Sequence, residues 1–337
     1  MYKRYIALAV VLLACMAGYT VFWFAAASNL EDKLAEWRDA AQREGYAVSF
    51  DEPHIQGYPF RLVAGITALR IVPLNEGASG SAYFDKVSIV FQAWSTDHAV
   101  LVFEGDSTLA SGGSGQEFHL TGARMSLSGV SAFSGGGGDG DREWRLSAMV
   151  DTVSFGTGVG DSLLIQNLEQ HLVGAGQDLS FSTRMGRAGP FAQTMPYGLG
   201  ETLDGAQFRG RVRLDALDQG FLTLVVKQAE LTYGPLQIDG EIEGMLDLNS
   251  LATNLNADVT ISNADHLFTT LEANDRALAA SVMVPLRTLG DPDGLGGLRL
   301  SGSLLARDWT FANGSTIAHG DLVNQLGLGG FRLLPRD

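Results

Sequence analysis

Beyond residue 45 the chain alternates apolar and polar positions with a period of about two. In the clearest run, 236–248, apolar residues or glycine alternate with positions that are polar except for Met245. Shorter runs of the same kind cover 207–214 and 255–262. This period is typical of antiparallel strands that turn one side to a core and the other to solvent. The pattern therefore predicts half-buried antiparallel strands.

Most of the remaining chain beyond residue 45 follows the same pattern. Further strands are predicted at 61–72, 86–94, 99–104, 118–127, 143–155, 298–305 and 310–313. Helical spacing occurs at 163–173 and at 263–283. Because helices do not alternate regularly with strands, a parallel α/β fold is disfavoured. The predicted fold is mainly β, an elongated, curved antiparallel sheet in the form of a groove or an open, barrel-like sheet, with a few covering helices.

An apolar segment at the N-terminus predicts a membrane anchor at 1–27. The 23 residues 5–27 carry no charge and come directly after Lys3 and Arg4. As a helix they measure about 35 Å, enough to cross a hydrocarbon core of about 30 Å. Basic residues before the helix favour a cytoplasmic N-terminus and export of the chain beyond the helix. A cleaved signal peptide with its cut site at Ala25–Ala27 stays open as the alternative.

An amphipathic helix is predicted at 28–45, directly after the anchor, either as a helix of its own or as an outward continuation of the membrane helix. Its apolar residues recur at helical spacing, and Ser28 with Glu31 forms a capping-box pattern. The apolar residues of this helix are Leu30, Leu34, Trp37 and Ala41. Residues 46–337 are then expected to form one β-rich periplasmic domain. The glycine-rich run 134–141 predicts a flexible loop and a hinge inside it.

Composition narrows the function further. The chain has 23 Lys and Arg against 38 Asp and Glu, a formal charge of −15, which argues against binding nucleic acid. With 45% hydrophobic and 18% charged residues, it has material for a core. Cys15 is the single cysteine and lies in the anchor, so the exported part has no disulfide or thiol nucleophile. Scattered histidines and the lack of a Gly-x-Ser-x-Gly elbow favour a protein without catalytic residue, metal or cofactor.

One short turn motif carries a family resemblance. The run Gly57-Tyr58-Pro59-Phe60-Arg61-Leu62 lies about thirty residues after the anchor, and Pro59 predicts a structural turn at the start of a long strand. In this position the run resembles the opening of a bacterial envelope family known as domain of unknown function 2125. The phrases at 233–240 and 300–314 are similar to those of AsmA-like and TamB-like envelope proteins.

This resemblance implies a single N-terminal helix in the inner membrane and a long, curved sheet whose apolar concave face shields lipid chains. It implies no catalytic residue. We therefore expect a single-pass inner-membrane protein, with most of the chain in the periplasm, that handles or shields the acyl chains of phospholipid or a similar lipid in an apolar groove. The candidate groove residues are Phe208, Val212, Leu236, Ile238, Ile242, Leu246 and Val259.

Three alternatives remain open at this point. The same alternation fits an ordinary closed sandwich core, in which these residues would pack against one another. The protein could instead be a non-enzymatic envelope assembly scaffold that binds other proteins through its sheet edge or its N-terminal helix. An envelope hydrolase with an unrecognised pair of carboxylates is a third, less supported reading.

Overall fold

The fold of the protein is mainly β. The computed structural model describes residues 2–74, 80–92, 94–110, 117–129, 143–156, 162–189, 202–214, 220–247, 253–274, 283–284, 286–306 and 308–318. These contain one large antiparallel sheet, a long N-terminal helix and few other helices, which confirms the predicted fold class. The predicted hinge at 134–141 lies outside the described residues.

The chain divides into two compact units, which are considered separately. Unit 1 comprises Met1–Gly138 and Ala148–Phe155, and unit 2 comprises Asp139–Ser147 and Gly156–Asp337.

Helix α1 runs without interruption over Tyr2–Arg43. The predicted anchor and the predicted amphipathic helix are thus parts of one helix. Ser28 lies inside this helix, so its predicted role as a cap is wrong; the residues between Tyr19 and Arg43 include no glycine or proline to break the helix. The helix ends before Gly45, which has a φ of +90°, a conformation that favours glycine. Among the described residues, α1 is the helix that is long and apolar enough to cross a membrane.

Unit 1 is built from the strands that come after α1. They are β1 Tyr46–Ser49, β2 His54–Gln56, β3 Arg61–Pro73, β4 Ser81–Gln92, β5 Ser95–Ala110, β6 Glu117–Thr121, β7 Arg124–Ser128 and the 148–155 part of β8 Trp144–Gly156. β3 pairs with β1, β2 and β4, and β5 pairs with β4, β6 and β7. The strand predicted at 118–127 is divided into β6 and β7 because Gly122 has a φ of +65°, which interrupts an extended strand.

The core of unit 1 lies between α1 and one face of β3. Leu34 of the helix is buried together with Ala64 and Ile66 of the strand, which are 0% and 1% exposed. Leu30 and Ala41 pack against the same cluster. These apolar residues of the predicted amphipathic helix therefore pack in the core of unit 1.

Unit 2 continues the antiparallel pattern. Its strands are β9 Ser162–Ala175, β10 Asp178–Met185, β11 Arg187–Gly189, β12 Gly205–Arg213, β13 Phe221–Tyr233, β14 Leu236–Asp247, β15 Thr253–Ser262, β16 Asp291–Pro292, β17 Leu298–Ala306, β18 Asp308–Phe311 and β19 Thr316–Ala318. Neighbours in the sheet occur in the order β9, β10, β12, β13, β14, β15, β17, β18, β19.

The helix predicted at 163–173 is wrong, because this segment is strand β9. Its residues pair with β10 and β11, and Leu172 lies opposite Phe181. Pairing and side-chain contact across the ladder override the weak local helical spacing. The helix predicted at 263–283 is found in part, since α2 covers Ala264–Asn274 and residues 275–282 lie outside the described residues.

Helix α2 covers one end of the unit 2 sheet. Leu267, Phe268 and Leu271 face the sheet and are 7%, 3% and 0% exposed. They form one buried cluster with Leu236 and Leu298. This cluster is the core of unit 2.

We expect Leu271→Ala to lower the free energy of unfolding by about 2–5 kcal/mol, because the change removes core contacts and leaves a cavity. Denaturation of the detergent-solubilised protein, monitored by circular dichroism, measures the effect. Leu295→Ala is the control, since its side chain is 91% exposed and its loss should change stability by less than about 0.5 kcal/mol. Equal effects of the two variants would contradict the core position of Leu271.

Candidate functional site

The strand register places all the candidate groove residues on one face of unit 2. Phe208 lies opposite Ala229, which lies opposite Gly240 and then Val259. Partners across a ladder and residues two apart along a strand share a face. The pairing of β12, β13 and β14 places five more candidates on the same face: Val212, Leu236, Ile238, Ile242 and Leu246. We call this surface the apolar face and its opposite the polar face.

Helix α2 divides the candidate residues into two groups. Leu236 is 4% exposed and belongs to the core cluster under the helix. Phe208, Ile238 and Val259 are partly buried and pack against that cluster. At this end of the apolar face the residues make an ordinary closed core.

The other group lies on the same face beyond α2. Val212, Ile242 and Leu246 are only partly buried and belong to none of the buried clusters of the described residues. Five apolar neighbours on this face are also partly buried: Leu172, Leu179, Phe181, Leu224 and Leu255. Two others are buried, since Val226 opposite Ile242 is 7% exposed and Leu304 opposite Leu255 is 4% exposed. We call the eight partly buried residues the open patch.

Sequence reasoning misses part of the open patch. Helical spacing places Leu172 in a helix, and β10 is not among the predicted strands, although Leu179 and Phe181 alternate there with serines. Gly210 on this face allows the ring of Phe181 to approach, since a Cβ atom at Gly210 would lie 2.8 Å from Phe181 Cζ. The alternation over 178–185 is the signal that could have identified these positions.

The polar face of unit 2 carries charged residues in place of apolar ones. Arg209 and Arg211 lie on β12, and Asp239 and Glu241 lie on β14. Asp258 of β15 is paired with Arg299 of β17, whose Nε donates a hydrogen bond to Asp258 Oδ1 at 2.9 Å. A second bond from the Arg299 guanidinium completes a bidentate pair. These hydrogen bonds hold the pKa of the Asp258 carboxyl below its ordinary value.

Because this pKa is lowered in the folded state, the pair stabilises the fold above pH about 4 and the contribution is lost as pH falls through the lowered pKa. We expect Asp258→Asn to destabilise unit 2 by about 0.2–1 kcal/mol at pH 7, the range for exposed ion pairs. The difference from the unchanged protein should shrink at acidic pH in thermal melts.

The control for this prediction is Asp239→Asn, which removes the same charge from the same face. Among the described residues Asp239 has no ion-pair partner, so no comparable loss is expected. A loss for Asp258→Asn that did not depend on pH would contradict the ion-pair explanation.

The predicted turn at Gly57–Phe60 is docked on α1 in unit 1. Tyr19 Oη donates a hydrogen bond to the carbonyl of Pro59. Trp23 Nε1 donates to the carbonyl of Arg61 at 3.1 Å, and the Trp23 ring meets the Tyr58 ring edge-on at 5.6 Å between centroids. The turn therefore fixes the start of β3 to the helix.

The backbone of this turn leaves little space for a different residue at Gly57. Gly57 has a φ of +105°, and a Cβ atom there would lie 2.7 Å from the carbonyl oxygen of Arg61. The bond between Tyr58 and Pro59 is cis. Gly57 and Pro59 thus determine the backbone geometry of the turn. Tyr58 contacts the helix, and Phe60 points outward.

We expect Trp23→Ala to loosen the contact between the turn and α1, because Trp23 is 4% exposed and its loss removes both packing and a hydrogen bond. The free energy of unfolding should fall by about 3–5 kcal/mol. Hydrogen exchange of the amides at 57–62 should become faster. Phe22→Ala is the control, since Phe22 is 48% exposed on the neighbouring helix position. Unchanged exchange in Trp23→Ala would show that the turn does not depend on the helix.

The comparisons with known proteins give one family. A family described as an uncharacterized protein conserved in bacteria, DUF2125, matches residues 23–301. The chain belongs to this family. The comparison with curated proteins gave no match, and the comparison with solved structures gave none either.

The DUF2125 match spans both the docked turn and the apolar face. It begins at Trp23, the helix residue that contacts the turn, and extends into β17 at one side of the apolar face. Among the described residues of this DUF2125 protein, no group of three or more His, Cys, Asp or Glu side chains is placed to hold a metal ion.

Proposed function

We propose that this DUF2125 protein is anchored in the bacterial inner membrane by α1 and shelters lipid acyl chains on the open patch of unit 2. The observation that carries the proposal is the continuation of the apolar face past α2, where Val212, Ile242 and Leu246 are only partly buried. An apolar surface of this kind is typical of binding sites for apolar ligands or partners.

The energy of acyl transfer favours a lipid as the occupant. Moving one CH₂ group from water to an apolar site is favourable by about 0.8 kcal/mol of free energy. Full burial of a chain of about 16 carbons is therefore favourable by about 13 kcal/mol. The open patch consists of aliphatic and phenyl side chains, which can accept such a chain without directional bonds. The proposed role includes no chemical step, so it requires neither a catalytic residue nor a cofactor.

The membrane location supplies the ligand. Lys3 and Arg4 precede the apolar part of α1, and basic flanks favour a cytoplasmic N-terminus. In this orientation both units lie in the periplasm, and α1 attaches the chain to the membrane that contains the phospholipids. The short phrases similar to AsmA-like and TamB-like proteins agree with this role, since the apolar sheet face of those proteins is thought to shield lipid chains.

The alternative function, an envelope assembly scaffold, receives less support from the helix than the sequence suggested. Leu30, Leu34 and Ala41 of α1 pack against β3 and the strands beside it, so these residues are not available to a partner. Trp37 is 40% exposed and stacks on Phe50. A sheet edge remains for a protein partner, for example β19, which pairs with β18 among the described strands.

We expect Ile242→Asp to reduce the phospholipid that copurifies with the detergent-extracted protein, beyond the lipid that adheres to α1, by about tenfold or more, because a carboxylate opposes burial of an acyl chain. Native mass spectrometry of the full chain measures the bound lipid. The matched control is Met245→Asp, which places the same group on the polar face of the same strand, at a side chain that is 44% exposed.

Circular dichroism must first show that both variants keep the sheet. Lipid that adheres to α1 is common to both variants and cancels in the comparison. If Ile242→Asp and Met245→Asp retain the same lipid as the unchanged protein, the open patch does not bind acyl chains and the scaffold function is favoured.

A further inference from the structure

The end of unit 1 that carries the docked turn is aligned with the outer part of the membrane helix. Trp23 of α1 contacts Arg61 at the start of β3, and the carbonyl of Gly45, just after α1, accepts a hydrogen bond from Leu74, just after β3. The helix and the strand therefore run in the same direction. The Arg61 end of the unit 1 sheet is the end nearest the apolar part of α1.

The length of α1 places this end at the membrane boundary. Arg4 is the last charged residue before the apolar segment, and Glu31 is the next. The 15 helix residues from Tyr5 to Tyr19 span about 22 Å, less than a hydrocarbon core of about 30 Å. A helix that crosses the bilayer from Tyr5 leaves the hydrocarbon near Phe24. The turn, which contacts Tyr19, Thr20 and Trp23, is level with the last part of that crossing.

Four exposed side chains at this end are aromatic, beside exposed polar side chains such as Arg61 and Asp97. Tyr58 and Phe60 of the turn are 48% and 73% exposed. Trp94, in the connection between β4 and β5, is 63% exposed and lies at the same end, because Gln92 pairs with both Arg61 and Ser95. Phe24 of the helix is 60% exposed and stacks with Tyr58. Aromatic side chains of this kind concentrate at membrane–water interfaces.

We infer that the Arg61 end of unit 1 is a membrane-docking surface, in which Phe60 and Trp94 enter the lipid interface beside α1. The partner is the outer leaflet of the membrane that α1 crosses. The docking surface is continuous with the lipid-facing side of the helix through Phe24 and Tyr58. Unit 1 is thus held to the bilayer at two further points besides the anchor, with its Arg61 end toward the lipid. This inference rests on the proposed membrane anchor and is independent of lipid binding by the open patch.

The test places one fluorescent probe at a time on the full-length protein in vesicles of phosphatidylethanolamine and phosphatidylglycerol. Cys15→Ser first removes the native thiol. Phe60→Cys and Trp94→Cys then carry an environment-sensitive dye at the proposed contacts. Leu74→Cys is the matched control, since Leu74 is 52% exposed just after the opposite end of β3. Val10→Cys, on α1, reports the anchor itself.

Lipids with a spin label high on the acyl chain should quench the dye at residues 60 and 94 at least about twofold more than the dye at residue 74, as expected for side chains in the interfacial belt. Quenching at residues 60 and 94 no stronger than at residue 74, with strong quenching of the Val10→Cys probe by deeply labelled lipid, would overturn the docking surface and leave the anchor intact. Absence of quenching at residue 10 would overturn the anchor and the docking surface together.

Discussion

The apolar face of unit 2 must be shielded from water, and its two ends differ in how far they are shielded. At the Leu236 end, Leu267, Phe268 and Leu271 of α2 form one buried core cluster with Met283 and Leu286, which lie farther along the chain. At the Leu246 end, Val212, Ile242 and Leu246 are only partly buried and belong to none of the buried clusters of the described residues. The open patch is the less shielded end of a face whose other end is an ordinary core.

The strands with strict alternation were predictable from sequence, whereas the contacts that divide the apolar face were not. The run that became β14 showed its two faces directly, and the side of each candidate residue could be found by counting in twos. β9 was misread because Leu163–Val173 also fits helical spacing, and only pairing with β10 decides between the two. The path of the chain after Ser262 decides which candidate residues α2 covers. The alternation of apolar and polar residues contains no information about this path.

The same limit applies to the turn in unit 1. Gly57 and Pro59 marked it in the sequence, because their backbone preferences are local. The partner of the turn was not predictable, since Trp23 lies far along the chain in the segment predicted as a membrane anchor. In the structure one uninterrupted helix connects the apolar segment to the core of unit 1. The helix thereby determines the direction of β3. A flexible linker in place of the helix would leave the direction of β3 free.

An exposed apolar surface usually promotes aggregation, so its persistence in this chain requires compensation. The polar face carries Arg209, Arg211 and a row of carboxylates on β14, and a formal charge of −15 keeps copies of the chain apart. These features oppose self-association but do not cover the open patch. Because the side chains of the open patch offer no hydrogen-bonding groups, the proposed recognition of a lipid there would depend on the apolar area of its acyl chain and not on its headgroup.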